Sequence, residues 1–438
     1  MKTDQLTSFL VALAMIVLLA ALFGAGARRL GQPAVIGEIV LGVLLGPTLF
    51  SGVVSDALFP ATIRPFLSAL ANVGVALFMF TVGLEFDRRL LRGRRVIAAS
   101  VASGSILLPF SLGVALAFYL VQRHPAENRT AFILFMGAAM SVTAFPVLAR
   151  ILTDRGLART WLGAVALACA AIDDVLAWTL LAVVVAISGS AGGFDPMLLL
   201  AVPYLVVMPL VVRPALRWLL GKRRLTGPTS AVPIVVILVG LLLSAAFTEW
   251  IGLHFIFGAF LFGANMPRAE AAENGPGEED TNSPSAVASR LKQLNGVLLL
   301  PIFFIVAGLN VDLSDLDAAG VLELLLILVA AIGGKFFGAF AGARLNRMRT
   351  RPAAALAVLM NTRGLTELII LSVGLQLGVL DGELYSYMVV MALVTTMMAG
   401  PLLQRIYPLH RPGPQDAGPA EAVPALAEPS GGADSKRD

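Results

Sequence analysis

Charge is scarce in this sequence. Only 14% of its residues are Asp, Glu, Lys or Arg, against 58% hydrophobic, and the mean hydropathy is +0.85. An ordinary soluble domain carries roughly a quarter charged residues, so this composition excludes one and indicates a polytopic membrane protein. Cysteine is nearly absent. The single Cys169 excludes an intramolecular disulfide and a thiolate metal cluster, and His124, His254 and His410 are too scattered to make a ligand set. No metal site or cofactor is expected. No nucleophile constellation, His-rich site or soluble output domain is visible, so the sequence does not read as an enzyme.

What fills the chain is apolar. Thirteen segments long or greasy enough to sit in a bilayer lie near residues 6–27, 33–50, 61–86, 97–121, 130–152, 160–188, 196–220, 229–250, 251–266, 293–310, 320–344, 353–379 and 383–406. The distribution of Lys and Arg tests this division, because basic residues gather in alternate, cytosolic loops. They do: 22 of the 32 fall in the loops at 28–29, 88–95, 150–159, 213–224, 268–292 and 344–351, whereas the intervening loops hold only Arg64, Arg123 and Arg129. The predicted topology puts the N-terminus outside and the C-terminus in the cytoplasm, in the plasma membrane, with the first segment retained rather than cleaved. The net charge of +4 then reflects topology and gives no support to nucleic-acid binding.

Two stretches differ from the rest. Residues 269–289 are acidic and rich in Gly, Pro and Ser, which predicts a flexible loop, and residues 408–438 read as a disordered cytoplasmic tail. Between the termini, residues 1–407 form one membrane domain. The thirteen segments divide as six, one and six, with 196–220 as the linker, and this suits an inverted repeat. The fifth segment of each half carries a polar, helix-breaking run. In Met140-Ser-Val-Thr-Ala-Phe-Pro-Val147, Pro146 removes an amide donor and clashes with the Val142 carbonyl; in Asn361-Thr-Arg-Gly-Leu-Thr-Glu367, Gly364 and its polar neighbours weaken the helix. Unwound backbone at membrane depth must be buried in protein or line a watery cavity, so a site between the two breaks is expected.

Ionisable groups stand beside those breaks. Asp173 and Asp174 sit side by side in an apolar stretch, where an acid costs about 2.5–3.5 kcal/mol on insertion scales. Lys335 and Arg363 are the two basic residues inside apolar segments. An unpaired ammonium would be costly, so Lys335 should have a carboxylate partner. Adjacent helical residues point about 100° apart, so one aspartate can pair with Lys335 while the other faces the gap. Intramembrane acids are by default functional, and a structural pair satisfied by hydroxyls is the weaker reading. Arg363 and Glu367, at i and i+4, are either a local ion pair or neutralise the half-helix ends. Glu38 and Glu249 read as structural, Cys169 as a small packing residue, and Trp178 with Phe303 and Phe304 as packing or interfacial anchors.

Taken together and in order, several runs resemble the cation/proton antiporter-2 superfamily across residues 6–406. They are Gln32-Pro-Ala-Val-Ile-Gly-Glu-Ile39 running on to Leu45-Gly-Pro47, Leu77-Phe-Met-Phe-Thr-Val-Gly-Leu-Glu-Phe-Asp87, Ser141-Val-Thr-Ala-Phe-Pro-Val-Leu-Ala-Arg-Ile-Leu152 and Asn361-Thr-Arg-Gly-Leu-Thr-Glu-Leu368. The resemblance implies an all-α sodium/proton antiporter fold with two inverted repeats and crossed broken helices. It implies a homodimer whose core (near 97–188 and 320–406) moves against a scaffold (near 6–86 and 229–310). Asp174 matches the ion-binding aspartate, and Asp173 the preceding acid of the electrogenic branch. Lys335 matches the partner of that acid, while the crossing runs look more like those of plant and fungal exchangers. The expected activity is exchange of Na+ or K+ for H+, with Asp173, Asp174, Thr143 and Ser141 binding ion and proton, and Pro146, Asn361, Thr362, Arg363, Gly364 and Glu367 at the crossing. A cation-selective channel and an electroneutral K+/H+ exchanger stay open as alternatives.

Overall fold

The computed structural model describes residues 3–48, 52–85, 95–157, 160–188, 196–220, 232–267, 284–314 and 316–407, and among these every regular element is helical. In chain order the helices are α1 (Thr3–Arg29), α2 (Ala34–Leu45), α3 (Val53–Leu58), α4 (Arg64–Glu85), α5 (Arg95–Leu120), α6 (Arg129–Ser141), α7 (Phe145–Asp154), α8 (Trp161–Ser188) and α9 (Ala201–Val207). They continue as α10 (Arg213–Leu220), α11 (Val232–Trp250), α12 (Phe255–Asn265), α13 (Pro284–Leu294), α14 (Leu300–Leu309), α15 (Ala318–Leu345), α16 (Thr350–Met360), α17 (Leu365–Gln376) and α18 (Gly382–Ile406).

Helix occupies each of the thirteen expected segments, but they are not equivalent. Ten are long and apolar enough to cross a membrane, or eleven when the α16–α17 pair, bent by 41°, is taken as one span. The other two, α2 and α12, have 12 and 11 residues. At 1.5 Å per residue these helices reach only about 18 Å, short of the ~30 Å hydrocarbon core. Hydropathy alone therefore overcounts full-length helices, because it registers apolar runs and not that α2 ends at the extended Gly46 or that α12 begins only after the turn at Gly252. A second correction concerns the acidic stretch: 284–289, expected as loop, is already helical as the start of α13. Residues 268–283 and the tail 408–438 lie outside the described residues.

Burial is inverted relative to a soluble protein. Val239, Leu243, Val329 and Phe337, on α11 and α15, are 49–69% exposed. Asp173, Asp174, Lys335, Arg363 and Glu367 are at most 5% exposed. Such a surface is compatible with lipid, and such an interior needs every charge paired or used. Two sets of helices pack among themselves. One comprises α1, α2, α4, α11, α12 and α14; the other comprises α5 to α8 and α15 to α18. Within the second set α5 lies along α15 with almost no separation, since a Cβ on Gly338 would collide with the Gly104 carbonyl and one on Gly104 with the Gly338 carbonyl. That approach brings Ser105 of α5 within reach of Lys335 of α15.

Candidate functional site

Two interruptions meet at the centre of the second helix set. α6 ends at Ser141, Val142 and Ala144 adopt extended backbone, and α7 restarts at Phe145. Pro146 lies within the first two positions of α7, where its missing N–H is tolerated. It therefore opens the second half-helix, and the helix break expected in this run lies between Ser141 and Phe145. The second break runs from Asn361 to Gly364, between α16 and α17. The breaks are bonded to each other: the Ala144 amide donates to the Thr362 carbonyl at 3.0 Å. Thr362 turns its own hydroxyl back onto Leu359 O, 2.8 Å away. Gly364 permits the crossing, since a Cβ there would strike the Val147 side chain.

Half-helix ends leave carbonyls and amides without intrahelical partners. Arg363, fully buried, donates from Nη1 to Ala139 O and from Nη2 to Met140 O, each at 2.7 Å, and so covers the last turn of α6. Glu367, in the first turn of α17, has Oε2 2.9 Å from Arg363 Nη1. A cation at a helix C-terminus and an anion at an N-terminus both complement the macrodipole. The Arg363 main chain is held in turn by Thr396, whose Oγ1 accepts from the Arg363 amide at 3.0 Å and lies 2.8 Å from its carbonyl. Asn361 is 1% exposed, and both atoms of its side-chain amide lack a hydrogen-bond partner among the described residues.

α8 carries the two aspartates past this crossing. Asp173 Oδ2 lies 3.0 Å from Lys335 Nζ, 2.6 Å from Thr143 Oγ1 and 3.3 Å from Ser105 Oγ. The ammonium also donates to Ser105 Oγ at 3.2 Å and to Thr143 Oγ1. Thr143 sits in the first break, so its hydroxyl has two possible acceptors for its one proton, Asp173 Oδ2 and the Met360 carbonyl at 2.9 Å. Among the described residues one oxygen of Asp173 thus collects all the donors, and Oδ1 has none. Asp174 is treated differently. Its carboxylate faces the Phe145 main-chain amide at the start of α7, and Oδ1 has no hydrogen-bond partner among the described residues. A buried carboxylate with unfilled lone pairs is costly unless it exchanges partners, and a proton or a hard monovalent cation can supply one.

Of the predicted residues, the structure brings Asp173, Thr143 and Lys335 into direct contact and sets Asp174 beside the first break. Ser141 is not part of this group. Its hydroxyl donates to Gly137 O at 2.6 Å, one turn back along α6, with Ile106 O at 3.3 Å, and a serine that satisfies its own helix does not face the aspartates. Ser105 was missed by sequence reasoning, because a serine in an apolar helix carries no signal without knowledge that α5 lies along α15. Also missed was a charged group at the far end of α5: His124 Nδ1 is 2.6 Å from Asp381 and Nε2 is 3.0 Å from Glu323, while Arg123 Nη1 is 3.2 Å from Glu323. Of the residues expected to be structural, Glu249 accepts the Phe255 amide at 2.8 Å, and Trp178 packs edge-on against Phe257.

Residues 14–407 match the model of the family described as "Sodium/hydrogen exchanger, transmembrane". The chain is 41% identical over 418 residues to the Na(+)/H(+) antiporter NhaS4 of Synechocystis sp., covering 93% of this chain and 99% of that protein. It is 32% identical over 426 residues to K(+)/H(+) antiporter 1 of Saccharomyces cerevisiae, covering 93% of this chain but 47% of the yeast protein, so it spans about half of that relative. In fold it is similar to the sodium proton antiporter MjNhaP1 from Methanocaldococcus jannaschii, with a TM-score of 0.63 at 15% identity over 92% of this chain and 95% of that one.

Proposed function

The chain belongs to the sodium/hydrogen exchanger family of monovalent cation:proton antiporters, and we propose that it performs this exchange through Asp173 and Asp174 by alternating access. It is a multi-pass membrane protein. The observation that carries the assignment of residues is the contrast between the two acids: Asp173 is engaged through Oδ2 by the side chains of Lys335, Thr143 and Ser105, whereas Asp174 faces the Phe145 main-chain amide beside an unwound backbone.

Asp174 is the carrier. A proton and a hard cation compete for its carboxylate, and that competition couples the two fluxes. Thr143, Asp173 and the carbonyls freed between Ser141 and Phe145 complete an oxygen-rich shell suited to Na+ or K+. When the cation enters, or when Asp173 takes a proton, the Lys335 ammonium loses its counter-charge. This gives two electrostatically distinct states of one buried cluster, which is what a switch between accessible sides requires.

The helix set containing α5 to α8 and α15 to α18 is the moving core, and the set containing α1, α2, α4, α11, α12 and α14 is the scaffold on which two copies dimerise. On this reading the protein resides in the plasma membrane, and the distribution of basic loops supports an N-terminus outside and a C-terminus in the cytoplasm. Na+ and K+ both remain substrates of this reading, because the relatives are named for one or the other. Dye quenching in proteoliposomes tests it: antiport dissipates a preset proton gradient only when Na+ or K+ is added, and conductance of the cation without proton movement would replace it by a channel.

A further inference from the structure

At the end of the bundle that carries the basic loops, a cavity of about 510 Å³ opens where the α1–α2 turn faces α7 and α18. Its walls include Arg28 and Gln32 from the first helix set and Arg150, Arg155, Thr396 and Gly400 from the second. Two of these are already fixed: Arg155 Nη2 donates to Gly400 O at 3.3 Å, and Gln32 Nε2 donates to Met397 O at 3.1 Å. Glu38 lies within electrostatic reach of Arg28 and Arg150. Three arginines therefore line a concavity whose size falls in the ~300–1,000 Å³ range of small-molecule sites, and no carboxylate lines it among the described residues.

The charge is wrong for a cation's vestibule and right for an anion's. Guanidinium groups recognise phosphate oxygens through paired N–H donors. We propose that this cavity is a regulatory site for a phosphate-bearing anion, which bridges the α1–α2 turn to α7 and α18 and holds the two helix sets together. The phosphate can come from a soluble ligand or from an anionic lipid headgroup, since the chemistry of recognition is the same. Binding stands independently of the transport reading; the effect on turnover rests on it. An anion that prefers this arrangement tenfold slows exchange by up to about tenfold, because it shifts the population away from the alternate state.

The test uses the full chain purified in a neutral detergent and follows its thermal midpoint. One arm adds pyrophosphate, the other short-chain phosphatidylglycerol, each against choline chloride of equal ionic strength. A saturable rise above the chloride control with pyrophosphate supports a soluble ligand, and one with phosphatidylglycerol alone supports a lipid. Either rise must shrink in Arg28→Gln and vanish in the Arg28→Gln, Arg155→Gln double variant. No rise in either arm overturns the proposal, as does an equal rise in Arg28→Gln, an exposed helix-end change that leaves folding intact. In phosphatidylcholine vesicles the anion that binds should also slow cation-driven proton movement. Binding without slowing removes the bridging role, and binding in a preparation that shows no exchange at all counts against the transport reading instead.

Discussion

The Ala144 amide and the Thr362 carbonyl, 3.0 Å apart, join the two broken helices directly, so the extended breaks are structural partners as well as candidate ligands. Gly364 stands next to this bond with no room for a side chain, because a Cβ would meet Val147. Gly364→Ala should lower the thermal midpoint by an amount equivalent to about 1–3 kcal/mol of overpacking and reduce turnover. Adding Val147→Ala should recover much of both. Failure of the second change to rescue the first, read by thermal melts and vesicle transport, would mean that the crossing is not limited by this contact.

Lys335 is predicted to set the electrical character of the cycle. Two acids with an ammonium partner can carry two protons for one cation, leaving net charge to cross the membrane. Wild-type exchange should then respond to an imposed potential in valinomycin-clamped vesicles with Na+ as the driven ion. Lys335→Gln should lose that response and be destabilised, since removing one member of a buried ion pair costs about 3–5 kcal/mol. Wild-type exchange indifferent to voltage would make the protein electroneutral.

Much of this site was legible because ionisable residues in apolar segments are rare enough to be informative singly. Asp173, Asp174, Lys335, Arg363 and Glu367 could be picked out from their surroundings, and the two breaks from Pro146 and Gly364. Partners with ordinary residue types could not. Ser105 and Ser141 look alike in the sequence, yet the close approach of α5 to α15 directs the first at Asp173, while the second bonds within its own helix. The His124 group was hidden because its members are 199 and 257 residues apart in the chain. Helix lengths were overread where Gly46 ends α2 early and the turn at Gly252 delays the start of α12.

That difference between the hydroxyls is itself testable. Thr143→Val keeps the shape but deprives Lys335 and Asp173 of a shared hydroxyl, and the apparent KM for the cation should rise by roughly tenfold, on the scale of one lost hydrogen bond to a charged group. Ser141→Ala should change KM little. Equal effects of the two would place Ser141 among the ligands after all.

His124 gives a pH dependence of stability outside the membrane-spanning segments. Burial, the largest influence, disfavours its charged form, but hydrogen bonds to Asp381 and Glu323 outweigh it and the pKa is raised from 6.5 to about 9. A raised pKa means that the contribution, up to about 3 kcal/mol, is fully present below the unfolded value of 6.5 and is lost as pH rises through 9. Asp381 has its pKa lowered; burial opposes this, but the His124 hydrogen bond and the Leu384 amide overcome it. Its contribution is therefore present above 3.8 and lost as pH falls through the depressed folded value. The thermal midpoint of the wild type should fall between pH 7 and 10, and His124→Gln should flatten that fall. An identical slope in the variant would remove His124 as its source.

The assignment of Asp174 as carrier is tested most directly by cation-dependent proton movement in vesicles containing purified Asp174→Asn beside the wild type. The amide keeps the volume and the contact with α7 but can neither release a proton nor balance a cation. The account predicts that the wild type dissipates a proton gradient on addition of Na+ or K+, while the folded variant, with an unchanged elution profile and thermal midpoint, does not. Full exchange by Asp174→Asn under the same conditions would contradict it.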